Sequence, residues 1–163
     1  MIKCKLGQIA SISNGKSNVQ DAVAEGKYPF FDRSQVIKRS NRYLFDCEAI
    51  IVPGEGKEFL PRYYVGKFDL HQRCYKIVPS NAVLGKYLFY NILAHKAYFA
   101  RVATGSTVPS LRLRNFTEME LTIHSLEEQQ HIVDVIQSRF SISLSLFLLI
   151  YLLPRIIYST LGL

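Results

Sequence analysis

Hydrophobic and polar residues follow two different periods along this chain, and the period changes several times before residue 140. Apolar and aromatic runs at residues 27–31 and 48–52 are bounded by glycine and proline, as strands usually are. Residues 62–78 have the pattern of a further pair of strands, which we expect to be antiparallel, with Cys74 and Tyr75 on opposite faces. The first part of the chain therefore predicts a sheet.

Two helices are predicted around these strands. In residues 5–12 the apolar positions have helical spacing, and Asn14-Gly15 supplies a stop that tolerates positive φ. Residues 83–102 form the longest amphipathic segment, with apolar residues one or two turns apart, and the small polar residues 104–106 end it. Helices therefore flank the predicted sheet on both sides in the sequence.

A third helix is marked by its own N-terminal signal. Ser125 and Glu128 match the S-x-x-E capping box, in which each side chain accepts a hydrogen bond from the backbone amide of the other residue. The pattern predicts a helix that begins at Leu126. Its apolar stripe consists of Ile132, Val133, Ile136 and Phe140.

The sequence changes character at residue 140. All 13 acidic residues and every basic residue except Arg155 precede it, and residues 140–153 carry no charge. A membrane-spanning helix needs about 20 apolar residues, which this tail reaches only by including Pro154 and Arg155. Three interpretations stay open: a helix whose continuation has been replaced by unrelated sequence, a hydrophobic helix packed on the body or on a second copy, and a membrane anchor. The anchor would make the chain a membrane-associated interaction protein. Of the three interpretations, the membrane anchor is the one we favour least.

Composition narrows the function further. The chain is 48% hydrophobic and 20% charged, which fits a folded domain rather than a disordered segment. Its formal net charge of +7 favours a polyanionic partner, namely DNA, RNA or an anionic lipid surface. The three cysteines have no metal-ligand or paired spacing, and the N-terminus lacks the apolar stretch of a secretory signal. We therefore expect a cytoplasmic protein with reduced thiols.

Three stretches of sequence together resemble a known family. They are KLGQIASISNGK near the start, GKYPFFDRSQVIKRSNRYLFDCEAIIVPGEGKEF in the middle, and TGSTVPSLRLRNFTEMELTIHSLEEQQHIVDVI near the end. In their order and spacing, over residues 3–138, they are similar to the target recognition domain of a type I restriction-modification specificity subunit.

The resemblance implies a fold and a function together. It implies an α+β recognition domain in residues 1–124, with a mixed, largely antiparallel sheet and flanking helices. Residues 125–163 would form a C-terminal helix, the start of a spacer or dimerisation helix, followed by the atypical tail. The implied function is sequence-specific binding of double-stranded DNA without catalysis, in partnership with modification (methyltransferase) and restriction subunits. Because such subunits usually carry two recognition domains, a truncated subunit, a homodimer and a partner half-subunit all stay open.

Basic residues in the predicted loops are the candidate DNA contacts, because lysine and arginine neutralise phosphates and arginine reads guanine in the major groove. The residues selected are Arg33, Lys38, Arg39, Arg42, Lys57 and Arg62. By resemblance, two small polar turns also approach the DNA backbone, and they contribute Lys16, Ser17, Thr104, Gly105, Ser106 and Thr107. Both turns equally suit helix C-caps. Arg112 and Arg114 suit the solvated side of a short strand or helical turn and are not included.

The main enzymatic alternative is a magnesium-dependent endonuclease. Asp46, Glu55 and Lys57 occur in the order D-x8-E-x-K, the arrangement of two acids and a base that many nucleases use. The same residues suit a turn and a solvated loop tip, which is the interpretation we favour. The 4 histidines are scattered without ligand spacing. We therefore predict no catalytic residue, no metal site and no cofactor in this chain.

Overall fold

The computed structural model describes the backbone of residues 1–147 and the side chains of residues 1–140. The hypotheses about the hydrophobic tail concern residues 140–163, and they lie outside the described residues except at the start of that segment. Within the described part, no helix combines the length and the apolar character that crossing a membrane requires.

Strands and short helices alternate along the described part of the chain. The strands are β1 (Ile2–Lys5), β2 (Ala10–Asn14), β3 (Tyr28–Phe31), β4 (Lys38–Ser40), β5 (Phe45–Pro53), β6 (Arg62–Leu70), β7 (Cys74–Pro79) and β8 (Glu120–Ile123). The helices are α1 (Leu6–Ile9), α2 (Gly85–Ala94), α3 (Ala97–Val102), α4 (Leu113–Thr117) and α5 (Leu126–Phe147), with a single 3-10 turn at Val19–Asp21.

The main sheet has six strands in the order β2-β7-β5-β6-β3-β4, and β1 pairs with β8 in a separate two-stranded ribbon. Neighbouring strands are antiparallel except for β3 and β6, which are parallel. The predicted α+β class, with a mixed, largely antiparallel sheet, flanking helices and a C-terminal helix, is confirmed.

The sheet separates two hydrophobic clusters. The larger one combines side chains of the helices with one face of the sheet, and its fully buried members include Leu88, Ile92 and Phe99. The smaller one, on the other face, includes Phe31, Ile51 and Phe68. Strand β7 shows the division, because Tyr75 belongs to the larger cluster and Cys74 to the smaller. The predicted alternation of β7 is therefore confirmed.

Strands β6 and β7 are not neighbours, so the prediction that they pair with each other is wrong. β5 lies between them and is antiparallel to both. The physical reason is burial: residues 49–53 of β5 are all buried, whichever face they point to. A strand that exposes neither face favours a central position with a partner on each side.

The predicted opening helix over residues 5–12 is only one turn long, Leu6–Ile9. The residues after it form β2, in which Ile12 pairs with β7 and packs against the larger cluster. Gly15 does not have the positive φ that was expected of it. It is required for space, since an added Cβ would lie 2.0 Å from the carbonyl oxygen of Leu70.

The long amphipathic segment divides into α2 and α3 at His95 and Lys96. Neither residue is glycine or proline, so no sequence signal marked the break. The apolar stripe is nevertheless buried as predicted on both helices. The turn at residues 104–106 lies just beyond the end of α3, also as predicted.

Helix α5 begins at Leu126 as predicted. The amide of Glu128 donates to the Ser125 hydroxyl at 3.3 Å, and the amide of Ser125 donates to the Glu128 carboxylate at 3.2 Å. Only the first turns of the predicted stripe are buried: Val133 is 3% exposed, whereas Phe140 is 69% exposed. The helix therefore starts on the domain and leaves it within about three turns.

Candidate nucleic-acid interface

Five connecting segments lie side by side. These segments, called the loop face from here on, are residues 14–18, 32–37, 54–58, 71–73 and 104–112. Main-chain hydrogen bonds join them: the amide of Gln72 donates to the Ser17 carbonyl at 2.9 Å, and that of Gly56 donates to the Pro109 carbonyl at 3.1 Å. Because both partners are backbone groups, the segments keep their relative positions whatever rotamers their side chains adopt.

The centre of the loop face is a carboxylate between two arginines. The Glu55 side chain is 14% exposed, and one of its oxygens accepts from Arg33 at 3.0 Å while the other accepts from Arg73. The side chains of Arg33 and Arg73 are 45% and 55% exposed. Ion pairs this exposed add little stability, typically about 0–1 kcal/mol. Their effect is geometric, because one carboxylate orients two guanidinium groups that still face solvent.

A polar cleft of about 300 Å³ lies beside Glu55. Its floor includes Tyr75 and Leu111, and its polar rim consists of Asn14, Glu55, Gln72, Arg73, Ser110 and Arg112. The Asn14 amide donates to the Gln72 carbonyl at 3.1 Å, which ties the end of β2 to the turn between β6 and β7. The cleft therefore presents arginine and amide groups, the two kinds of side chain best suited to the hydrogen-bonding edges of bases.

The segment 32–37 is held at both ends by side chains. The Asp32 carboxylate accepts from the Ser34 amide at 2.8 Å and from the Lys38 ammonium at 2.6 Å, and the Arg62 guanidinium donates to the Ser34 carbonyl. Burial raises the pKa of Asp32, but the hydrogen bonds from Lys38 and Ser34 outweigh it, and the net pKa lies below its ordinary value. Asp32 is therefore ionised at neutral pH, and its charge helps to fix this segment.

A buried polar cluster supports the loop face from below. The fully buried Asp69 carboxylate accepts from the hydroxyl of Ser17 at 2.5 Å, from that of Ser40 at 2.8 Å and from the amide of Leu70 at 2.9 Å. The guanidinium of Arg42 lies 3.7 Å from the same carboxylate. Asp69 thus connects the end of β2, the end of β4 and β6 through one side chain.

The structure brings part of the predicted site together on the loop face. Exposed side chains there are Lys16, Arg33, Lys57, Thr104, Ser106 and Thr107. Gly105 is close to them with a φ of 113°, and an added Cβ would lie 2.7 Å from the Val108 carbonyl oxygen. Thr104 pairs with Ser110 through two backbone hydrogen bonds of 2.8 and 3.0 Å, so this turn is a closed loop and not a simple C-cap of α3.

The other predicted residues have structural contacts of their own. Ser17 is fully buried and donates its hydroxyl to Asp69, so its side chain lacks the exposure that was expected. Lys38 and Arg62 hold the segment 32–37. Arg39 and Arg42 lie beyond it at the β4 edge of the sheet, where Arg39 donates to the Gly26 and Lys27 carbonyls and Arg42 to Asp21. These residues support the loop face or flank it.

The nuclease arrangement does not form. Asp46 and Glu55 lie at opposite ends of β5, and strands rise about 3.3 Å per residue. Two ligands of one magnesium or calcium ion lie within roughly 5 Å of each other. Asp46 instead lies 4.0 Å from Lys67, while Glu55 binds the two arginines. Glu55 and Lys57 do lie in a loop, but the prediction of a turn at Asp46 and a solvated tip at Glu55 is wrong, because Asp46 lies in β5 and the Glu55 side chain is only 14% exposed.

His71 is a buried residue of the loop face and is 5% exposed. Burial lowers its pKa below the ordinary value, and the nearby charge of Arg33 acts in the same direction. The ring is therefore neutral at neutral pH, and its Nδ1 accepts from the amide of Arg73 at 3.1 Å. This bond fixes the backbone from which the Arg73 side chain projects.

Two arginines of the loop face were not selected from the sequence. Arg73 lies in the turn between β6 and β7, and its position between two predicted strands was the signal that could have identified it. Arg112 was set aside as a solvated residue, but it lines the polar cleft with Arg73. Arg73 was missed because it lies within a segment whose pattern is that of two strands, and Arg112 because it suits the solvated side of a short strand or helical turn. The fold brings both beside Glu55.

Comparison with known families gives one strong match. The family model described as type I restriction modification DNA specificity domain matches residues 2–145. Among curated proteins, the type I restriction enzyme EcoDI specificity subunit of Escherichia coli is 29% identical over 130 residues, which is 80% of this chain and 29% of that protein. The chain therefore spans less than a third of the length of this relative.

Solved structures show the same fold at low sequence identity. The S subunit of the type I restriction-modification system from M. genitalium superposes with a TM-score of 0.75 at 18% identity, covering 84% of this chain and 38% of that one. The HsdS subunit from Thermoanaerobacter tengcongensis superposes with a TM-score of 0.65 at 12% identity, covering 90% of this chain and 39% of that one.

Proposed function

The chain belongs to the family of type I restriction modification DNA specificity domains, and from this premise we propose that it binds double-stranded DNA sequence-specifically through the loop face. The observation that carries the proposal is the pair of arginines, Arg33 and Arg73, held at the surface by one carboxylate. A guanidinium has five donors in a planar arrangement that matches the O6 and N7 acceptors of guanine. Arg33 and Arg73 are therefore the proposed base-reading residues.

The remaining groups of the loop face suit the DNA backbone. Lys16, Lys57 and Arg112 are exposed cations, and the turn 104–107 offers hydroxyl groups and a glycine backbone at the same surface. Phosphate contacts of these kinds position a protein on a duplex without reading its sequence. The loop face thus combines the two kinds of contact that sequence-specific binding requires.

Glu55 has a positioning role in this proposal. A carboxylate on a DNA-binding surface repels phosphates, so its presence needs a compensating benefit. Its contacts with Arg33 and Arg73 supply one, because an oriented side chain loses less conformational entropy when it binds a base. Removal of its charge should therefore weaken specific binding while it strengthens nonspecific binding.

The wider biological role follows the family and is part of the proposal. We propose that residues 1–124 form the recognition domain and that residues 125–163 begin with a spacer or dimerisation helix. The chain would act in the cytoplasm as a non-catalytic specificity component that directs modification and restriction subunits to DNA. A second recognition domain, from another copy or from a separate half-subunit, would read the other half of a bipartite site.

Binding-site selection tests the proposal directly. The full chain, alone and together with a modification subunit from the same source, is incubated with random double-stranded DNA, and the bound fraction is sequenced. We expect one enriched half-site with at least one invariant G·C pair. Failure to enrich any motif under both conditions would overturn the proposed function.

Variants then test the assignment of contacts. Arg73→Ala should weaken binding to the selected site by about 1–3 kcal/mol and relax the choice of one base. Lys57→Ala should lower affinity equally for all sequences and reduce the slope of log K against log salt by about 1. Lys86→Ala is the matched control. Lys86 is an exposed lysine at the start of α2, which follows the C-terminal end of β7, whereas the loop face adjoins the N-terminal end of β7. Equal effects of Lys57→Ala and Lys86→Ala would contradict the placement of the interface.

A further inference from the structure

The segment 32–37 exposes two adjacent apolar side chains. Val36 is 72% exposed and Ile37 is 49% exposed. Single exposed apolar residues are common on protein surfaces and need no explanation. Val36 and Ile37, however, are neighbours at the tip of one loop and form a small apolar patch. Because the patch lies on the loop face, it is a candidate contact for the partner that binds there.

The loop presents this tip rigidly. The Asp32 carboxylate binds the amide of Ser34 and the ammonium of Lys38, and the Ser34 hydroxyl lies 2.9 Å from the Val36 carbonyl oxygen. The Arg62 guanidinium holds the Ser34 carbonyl from the side of β6. These anchors lie on both sides of the tip and hold the backbone that carries the two exposed side chains.

The loop face around the tip carries an excess of positive charge. The cleft beside the tip has both signs, with Asp32, Glu55 and Glu58 among the residues that line it. Over the whole loop face, however, basic residues outnumber these acids; they are Lys16, Arg33, Lys57, Arg73 and Arg112. A polyanion is therefore the partner that fits the flanks, and its surface must also offer an apolar group to meet the tip. Double-stranded DNA does so in the major groove, where the C5-methyl group of thymine is the apolar feature of the base edges.

We propose that Val36 and Ile37 contact thymine methyl groups in the major groove and so select an A·T pair next to the bases read by arginine. The inference rests on the proposed function, because it assumes that the loop face binds DNA. It adds specificity that no hydrogen bond of Arg33 or Arg73 supplies. The branched Val and Ile side chains suit this role, since they have few rotamers to lose on contact.

Deoxyuridine tests the contact because it differs from thymidine only by the missing methyl group. Each thymine of the selected half-site is replaced in turn, and binding by the full chain is measured together with Val36→Ala and Ile37→Ala. Burial of one methyl group corresponds to about a fourfold change in affinity. We expect one or two positions at which deoxyuridine weakens binding about fourfold to the parent chain but not to the variant that lacks the contacting side chain.

Val65→Ala is the matched control, since Val65 is 59% exposed on β6 and lies outside the loop face. It should keep the full deoxyuridine effect. Equal deoxyuridine effects in the parent chain and in both tip variants, no effect at any position, or a selected half-site without an A·T pair would overturn the inference while leaving the proposed function intact. Absence of any selected motif would instead overturn the proposed function itself.

Discussion

Replacement of Asp69 by alanine should destabilise the protein by about 3–5 kcal/mol, because several buried donors lose one charged acceptor. The carboxylate is fully buried and accepts from the hydroxyls of Ser17 and Ser40 and from the amide of Leu70. Alanine leaves these donors buried without their acceptor. Hydrogen bonds to a charged group contribute about 1.5–3 kcal/mol each, but bonds to a shared acceptor are not additive. The predicted loss is a large part of the 5–15 kcal/mol that domains typically have.

The measurement is urea denaturation followed by far-ultraviolet circular dichroism at constant pH. Asp46→Ala is the matched control, because the Asp46 side chain is 55% exposed and its ion pair with Lys67 is long, at 4.0 Å. This substitution should change the free energy of unfolding by less than about 0.5 kcal/mol. Ser40→Ala should cost less in the Asp69→Ala background than in the parent chain, because the bond it removes is already absent. A loss below about 1 kcal/mol for Asp69→Ala, with an unchanged urea slope, would refute the view that this cluster anchors the loop face.

Three further predictions concern groups near the same surface. Gly15→Ala should cost about 1–3 kcal/mol or more in urea denaturation, because its Cβ would meet the Leu70 backbone, and a neutral result would contradict this packing. Burial lowers the pKa of His71, so the unfolded chain binds a proton that the folded chain does not, and stability should be lost as pH falls below about 6.5 towards the lower folded pKa. His71→Gln should flatten that part of the pH dependence, and an unchanged curve would exclude His71 as its source. Burial raises the pKa of the Cys74 thiol to about 12, so Cys74 should react with a thiol reagent only after unfolding, whereas Cys47 at the start of β5 is half-buried and should react faster in the native protein. Mass spectrometry of the labelled peptides would show the order, and rapid native labelling of Cys74 would contradict it.

Local signals predicted the elements well where neighbouring residues decide the structure. The capping box of Ser125 and Glu128 placed the start of α5 correctly, and alternation placed Cys74 and Tyr75 on opposite faces of β7. Both signals act over a few residues. The opening helix was wrong for the same reason, since residues 5–12 contain one turn of helical spacing and are otherwise taken by pairing with β7.

The sequence predicted the chemical type of the candidate site, basic residues in loops, but not which residues belong to it. Basic residues in loops indicated Arg33 and Lys57 correctly as surface groups of the loop face. The sequence did not reveal that Ser17 is buried or that Glu55 joins Arg33 to Arg73. The spacing of residues along the chain does not predict which loops contact one another in the folded protein.

The sequence by itself determined the family, the α+β class, four of the eight strands in the described residues (β3, β5, β6 and β7), the start of α5 and the net positive charge, because these depend on order, composition and short-range periodicity. The tertiary structure alone decided that β5 lies between β6 and β7, and this placement brings Arg73 beside Glu55 and Arg33. The physical reason is that strand order is set by burial of both faces of β5 and by backbone hydrogen bonds between distant segments, and neither leaves a local pattern in the sequence.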